Sequence, residues 1–393
     1  MSKEAQIKTL LERGVENIYP SRGAVEKALQ SGKKLRIYYG IDPTGDSLHL
    51  GHLIQLRKLR QFQQMGHEII ILIGDFTAQI GDPTDKAATR KPLTHKQVLE
   101  NAKAYKKQIG GVLNLKSAKV RFLYNEKWTN KLKPVDLLEL ASHFTVGQLI
   151  EREMFQKRIR EDKSIALHEF LYPIFQAYDS VTMDVDMEIG GNDQMFNMLA
   201  GRTLMKKMKN KEKYVLTTKL LEDAEGKKMG KTEGNIVSFK DSADEIFGKV
   251  MSWPDKMMLS GYELLTDIDL AQAKKDIQKN PRDAKFLLAG KLVGAIYGDK
   301  EAKKAGERFN AIFREKKTDV KMPEVKVKSG KMNIVELVFA TGQVSSKSDA
   351  RRLVQQGGVS IDERKATDVT ATIDVVAGII IKIGKHRMVK VKK

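Results

Sequence analysis

Cysteine is absent from the 393 residues. Disulfides, thiolate metal sites and a thiol nucleophile are therefore excluded, which suits a reducing compartment without requiring one. Long apolar runs are missing too, so no membrane span is expected. The N-terminal stretch "MSKEAQIKTLLERGVENI" lacks the apolar centre of a signal peptide, and its early Glu4 is unlike a basic transit peptide. It reads as a soluble helix of a cytoplasmic protein. No internal repeat is visible, and no cluster of carboxylates argues for a protein-built metal cage. Acidic residues are the minority charge: 50 Asp and Glu against 70 Lys and Arg leave a net charge of +20. That excess attracts polyanions such as nucleic acid, although a generally lysine-rich composition would look the same.

What is present suggests two or three domains. "KLRIYYGI" and "HEIIILIGDF" are short β-rich runs on either side of the amphipathic "LHLGHLIQLRKLRQFQQMG". Strand, helix, strand at this spacing predicts a βαβ unit and a parallel sheet. Residues 1–235 are read as one α/β domain, with a charged helical insertion at about 95–160 rather than more sheet. Residues 236–315 look α-helical. Residues 316–332, "KKTDVKMPEVKVKSGKM", have no helical period and read as a linker. Residues 333–393 form a compact basic segment with a helical pair followed by strand alternation.

The stretch "IDPTGDSLHLGH" stands where a strand hands over to a helix. His49 and His52 fall in the helix's first turn, where unpaired N–H groups and the helix dipole favour anions. Gly51 between them lets a flat ring approach the backbone. Asp42, Pro43, Thr44 and Gly45 make the preceding turn. The whole suits a nucleotide cradle at the carboxyl end of a parallel strand; an ordinary capped helix with two surface histidines would carry the same string. A second stretch, "KKMGKTEGN", offers Lys228, Lys231 and Thr232 on a glycine-hinged loop. Such cations suit a polyphosphate leaving group, and a solvated lysine loop is the plainer alternative. It resembles a P-loop but is one residue short between its glycines, so that reading is rejected.

Taken in order, "HLGH" and "KMGKT" resemble the two signature motifs of class I aminoacyl-tRNA synthetases, usually written HIGH and KMSKS. Gly230 and Thr232 depart from the serines, while both lysines are kept. Between the motifs, "YPIFQAYD" sets Tyr172, Gln176 and Asp179 on one helix face. With "GDFTAQIGDPT" and "GGNDQMFN" the chain resembles bacterial-type tyrosyl-tRNA synthetases over nearly its whole length. The resemblance implies a Rossmann-like catalytic domain, a helical anticodon-side domain and an S4-like RNA-binding domain. It implies that Tyr38 and Asp179 bind a substrate phenol, and that Asp82, Tyr172 and Gln176 hold the α-amino group. Gln194 then lies beside the carboxylate, and Thr77 and Asn125 support the pocket. For ATP it implies Gly40, Asp42, His49, Gly51, His52, Lys86, Arg90, Gly191, Asp193, Lys228 and Lys231. Asp85 follows "DPT" where the family often has Gly, and it places a carboxylate beside Lys86 and Arg90.

The C-terminal segment resembles an S4-type domain, with Lys347, Arg351, Arg352, Lys385 and Arg387 as candidate RNA contacts. The resemblance implies L-tyrosine, ATP with Mg²⁺ and tRNA(Tyr) as substrates, no protein-bound metal, and a homodimer formed through the helical insertion. Thr44 and His49 are expected at the γ-phosphate, His52 on the ribose side, and Lys228, Lys231 and Thr232 at pyrophosphate. A tryptophanyl-tRNA synthetase of the same fold, or a non-catalytic RNA-binding protein on a synthetase scaffold, are the other readings.

Overall fold

A computed structural model describes residues 2–82, 93–223, 225–229, 236–313, 324–344, 346–362, 364–384 and 387–392. The expected site residues Lys86, Arg90, Lys231, Thr232 and Lys385 lie outside this set, as do Asp85 and Gly230.

The backbone divides into two compact units. The first comprises Met1–Lys240, Pro254–Leu288 and Ala295–Tyr297, and the second Asp241–Trp253, Ala289–Gly294 and Gly298–Lys393. The first unit is built on a six-stranded sheet of β1 (Val15–Tyr19), β2 (Arg36–Ile41), β3 (Glu68–Ile73), β4 (Val120–Tyr124), β5 (Met187–Gly191) and β6 (Tyr214–Thr218). Its order is β1-β6-β5-β2-β3-β4. All neighbours run parallel except β1, which pairs antiparallel with β6 along one edge. The central strands are continuous apolar runs, "IILI" in β3 among them, because helices bury both faces of a parallel sheet. The helix Leu50–Gln64 buries Leu53, Leu56, Leu59 and Phe62 at helical spacing. The helix Leu167–Met183 packs closely along the helix Met195–Lys209, with Ile174, Ala177, Val181, Leu204 and Met205 in the seam.

Two expectations about this unit need correction. The insertion at 95–160 is not wholly helical, since β4 lies within it and extends the parallel sheet beyond β3. "KVRFLY" alternates charged and apolar residues as an outer strand does, and its neighbours' charge hides that period. The N-terminal run is a helix only over Lys3–Glu12, after which β1 begins.

In the second unit the helices Ala243–Met251 and Asp299–Phe313 pack together, with the Phe247 and Phe309 rings 5.3 Å apart and Arg308 paired to Asp244 at 2.7 Å. Its C-terminal part holds the helix pair Ile334–Ala340 and Lys347–Gln355. Beside them are a five-stranded sheet, β10-β9-β12-β13-β7, and a two-stranded one, β11-β8. The ranges are β7 Glu324–Lys326, β8 Gly330–Asn333, β9 Val359–Ile361, β10 Arg364–Ala366, β11 Thr372–Val375, β12 Ile380–Ile383 and β13 Arg387–Lys392. Val335, Leu337, Val338, Val354, Ile381 and Val389 form its core. β7 and nearly all of β8 fall inside the expected linker, which is the third correction. β7 pairs with β13 and β8 with β11, so their strand character comes from partners some forty to seventy residues away. Among the described residues no helix is long and apolar enough to cross a membrane.

Candidate active site

β2 and β5 are neighbours at the centre of the sheet, and their successors run to opposite sides. An open parallel sheet leaves a crevice at the carboxyl ends of such a strand pair. A cavity of about 320 Å³ occupies it. Every described residue expected at the tyrosine, ATP and catalytic positions lines this cavity: Tyr38, Gly40, Asp42, Thr44, His49, Gly51, His52, Thr77, Asp82, Asn125, Tyr172, Gln176, Asp179, Gly191, Asp193, Gln194 and Lys228.

His49 is the N-cap of the helix Leu50–Gln64 rather than part of its first turn, with extended backbone. Its Nδ1 accepts the Gly51 N–H at 3.1 Å, and the Nδ1 of His52 accepts the His49 N–H at 3.2 Å. The two rings meet edge to face at 3.9 Å. With Nδ1 used as an acceptor, each neutral ring carries its proton on Nε2. The pair thus caps the helix where both residues line the cavity. A Cβ on Gly51 would stand 2.8 Å from Cε1 of His49, so this geometry requires glycine there.

Asp179, on the helix Leu167–Met183, is buried at the other end of the cavity. Its two oxygens accept from Trp128 Nε1 at 2.7 Å and from Asn125 Nδ2 at 3.2 Å. Burial raises its carboxyl to about 8, against the pull of those two donors. Tyr38 is fully buried, with its hydroxyl 3.0 Å from Ser180 Oγ; burial and then the Glu188 charge hold its phenol well above the usual range. Thr77 Oγ1 donates to Asp42 at 2.7 Å, and Tyr172 donates to the other Asp42 oxygen at 2.9 Å. Asp82 accepts from Gln194 at 2.7 Å and from the buried Arg152 at 3.3 Å. Arg152 itself lies between the Phe155 and Phe196 rings, 5.4 Å from each. Asp82, Tyr172 and Gln176, expected to act together on an amino group, share the cavity while bonding to different partners.

Residues 30–314 match the family described as tRNA synthetases class I (W and Y), and residues 315–388 match the tyrosine–tRNA ligase SYY-like C-terminal domain. The chain belongs to the class I tRNA synthetases. The tyrosine–tRNA ligase of Thermotoga maritima is 40% identical over 398 residues, covering 100% of this chain and 98% of its own. That of Haemophilus ducreyi is 42% identical, covering 97% and 96%. Among solved structures, the tyrosyl-tRNA synthetase of Archaeoglobus fulgidus complexed with L-tyrosine superposes with a TM-score of 0.62. It is 21% identical and covers 78% of this chain and 100% of its own. A truncated mitochondrial tyrosyl-tRNA synthetase of Aspergillus nidulans gives a TM-score of 0.66 at 20% identity, covering 78% and 94%. These two likenesses concern the fold.

In this synthetase Lys228 is paired with Asp193 at 2.5 Å, so the two residues expected at pyrophosphate and ribose hold each other. Among the residues that escaped the sequence reading, Arg152 and four more bond to expected site residues or to their partners. Trp128 donates to Asp179, Ser180 touches Tyr38, and Glu188 and Lys213 form a buried ion pair beneath the pocket. Trp128 and Lys213 sit in segments with no motif, and each reaches the site only through the fold. Ser180 directly follows "YPIFQAYD" and Glu188 stands two residues before "GGNDQMFN", so both could have been found from the helix and strand period. Among the described residues, Asp75, His95 and Glu126 bring three ligand atoms within 4.8 Å of one another. That group does not line the cavity and is satisfied internally, since His95 pairs with Glu126 at 2.7 Å and Asp75 accepts the Glu126 N–H at 2.9 Å. On the C-terminal helix pair, exposed Lys347 pairs with Glu336 and Arg352 with Asp349, while Arg351 is exposed. Arg387 donates to the Gln343 carbonyl, a bond within the domain.

Proposed function

We infer that the protein is a tyrosine–tRNA ligase, which activates L-tyrosine with ATP and transfers the tyrosyl group to the 3′ end of tRNA(Tyr). The observation that carries this is full-length identity of about 40% to tyrosine–tRNA ligases, in a chain whose C-terminal part also matches the tyrosine-specific domain. That second match favours tyrosine over tryptophan.

The buried end of the cavity suits a phenol. Asp179 offers an acceptor already oriented by two donors, and Tyr38 stands near it. Leaving such buried polar groups unmatched is costly, so phenylalanine is disfavoured. Tyr172, Gln176 and Asp82 face the α-ammonium, Gln194 the carboxylate, and Gly191 and Asp193 the ribose. The carboxylate attacks the α-phosphorus in line, which requires no enzyme nucleophile, so positioning and charge stabilisation carry the rate. Thr44 and His49 meet the γ-phosphate, and His52 the ribose side. Lys228 leaves Asp193 to join Lys231 and Thr232 on pyrophosphate, with Lys86 and Arg90 nearby. Mg²⁺ enters with ATP. The enzyme works in the cytoplasm as a homodimer. Support for the dimer comes from Val135, Leu138 and Val146, which are 64–73% exposed on the helical segments expected to pair. Lys347, Arg351 and Arg352, with Lys385 and Arg387, face tRNA.

ATP–pyrophosphate exchange with tyrosine, tryptophan and phenylalanine tests this reading. Exchange with tyrosine alone is expected, followed by charging of tRNA(Tyr). Exchange with tryptophan, or none with any of the three, would overturn it.

A further inference from the structure

Lys213 precedes β6 and is fully buried, an unusual place for an ammonium. Its three donors are all used. They go to Glu188 Oε2, to Ser180 Oγ at 2.8 Å and to the Met198 carbonyl at 3.2 Å. Gly201 makes room for it, since a Cβ there would stand 2.4 Å from Nζ. The other Glu188 oxygen accepts from Gln176 Nε2 at 2.9 Å. Opposite an ammonium, a carboxylate accepts and does not donate, so Gln176 must turn its NH₂ toward Glu188. Its carbonyl oxygen is then left for the cavity that Gln176 lines. A carbonyl oxygen there attracts a cation, whereas an NH₂ group would repel one.

We propose that the Lys213–Glu188 pair is a positioning device for tyrosine recognition, fixing the Gln176 amide so that its oxygen faces the substrate α-ammonium. The proposal rests on the tyrosine-activating reading above. It makes Glu188 and Lys213 contributors to affinity for the ammonium group, not to affinity for the ring.

The test compares tyramine with 4-ethylphenol, which differ by the ammonium, as competitors of tyrosine. Two full-length double variants are used, both free of a buried charge. Replacing a buried ion pair by uncharged side chains of similar volume is commonly tolerated, and a melting curve checks each. In Glu188→Gln/Lys213→Met the new amide turns its NH₂ to the acceptors that the ammonium leaves, and its oxygen still receives Gln176. In Glu188→Leu/Lys213→Met the acceptor is gone. The wild-type preference for tyramine is expected to persist in the Gln variant and to fall about ten- to a hundredfold in the Leu variant. Equal preferences in the two variants, whether both kept or both lost, would overturn the proposal. A wild-type protein with no preference for tyramine, or without tyrosine-dependent exchange, would instead overturn the functional reading on which it rests.

Discussion

At Asp179 a single side chain joins the proposed phenol recognition to stability. Its carboxyl ordinarily titrates near 3.8, and burial raises it to about 8 in the folded protein. Between those values the folded chain holds a proton that the unfolded chain has lost. Stability contributed by this group is therefore fully present below about 3.8 and is lost as pH rises through about 8, with a slope of at most about 1.4 kcal/mol per pH unit. Asp179→Asn removes this titration. The melting temperature of wild type minus that of the variant should shrink steadily from pH 5 to pH 8; a flat difference would show that the carboxyl is not raised. Asp179 was legible in the sequence because Tyr172, Gln176 and Asp179 share a helical period. Trp128, its strongest donor at 2.7 Å, was not. A donor brought from fifty residues away by β4 and the turn after it leaves no local pattern to read.

The element proposed to set the nucleotide end is the N-terminus of the helix Leu50–Gln64. Its two histidines were readable as a pair, and so was the need for glycine between them. Their reciprocal capping was not, because it depends on the extended backbone at His49. Gly51→Ala would drive a methyl group into the His49 ring. Adenylate formation should slow by about two orders of magnitude, as when a transition-state donor is displaced, with tyrosine affinity little changed. Stopped-flow measurement checks this, and weakened tyrosine binding at an unchanged rate would reject it. A second element-level expectation concerns the helix Pro134–Ser142, whose Leu138 is 71% exposed. If this face meets a second copy of the chain, Leu138→Asp buries a charge in an apolar interface. Light scattering at micromolar concentration should then show a monomer where wild type is a dimer. The strands misread within the insertion and the linker share one cause. They are short and lysine-flanked, and a strand is defined by a partner that the local sequence does not name.

Across the whole molecule, the cavity and the matched C-terminal domain fall in separate stretches of chain. The described residues lining the cavity lie before residue 230, and the C-terminal strands begin at β7, Glu324. This placement decides where a truncation must fall. A cut at 333 would leave β7 and β8 behind without β13 and β11, exposing an apolar strand edge that invites aggregation. A cut after Arg314 removes all seven C-terminal strands together and coincides with the boundary between the two matched families. The shortened protein should keep tyrosine-dependent pyrophosphate exchange within about twofold, because no residue lining the cavity is touched. Charging of tRNA(Tyr) should fall by about two orders of magnitude or more, since lysines and arginines that neutralise phosphates contribute affinity in proportion to their number. The same argument gives a second readout. Full-length charging at limiting tRNA should weaken steeply as salt rises, and the shortened protein should show a shallower slope. A cooperative melting transition confirms that the shortened chain is folded. If that folded chain charged tRNA(Tyr) at the full-length rate with an unchanged salt slope, the C-terminal domain would have no part in RNA recognition, and the net charge of +20 would need another explanation.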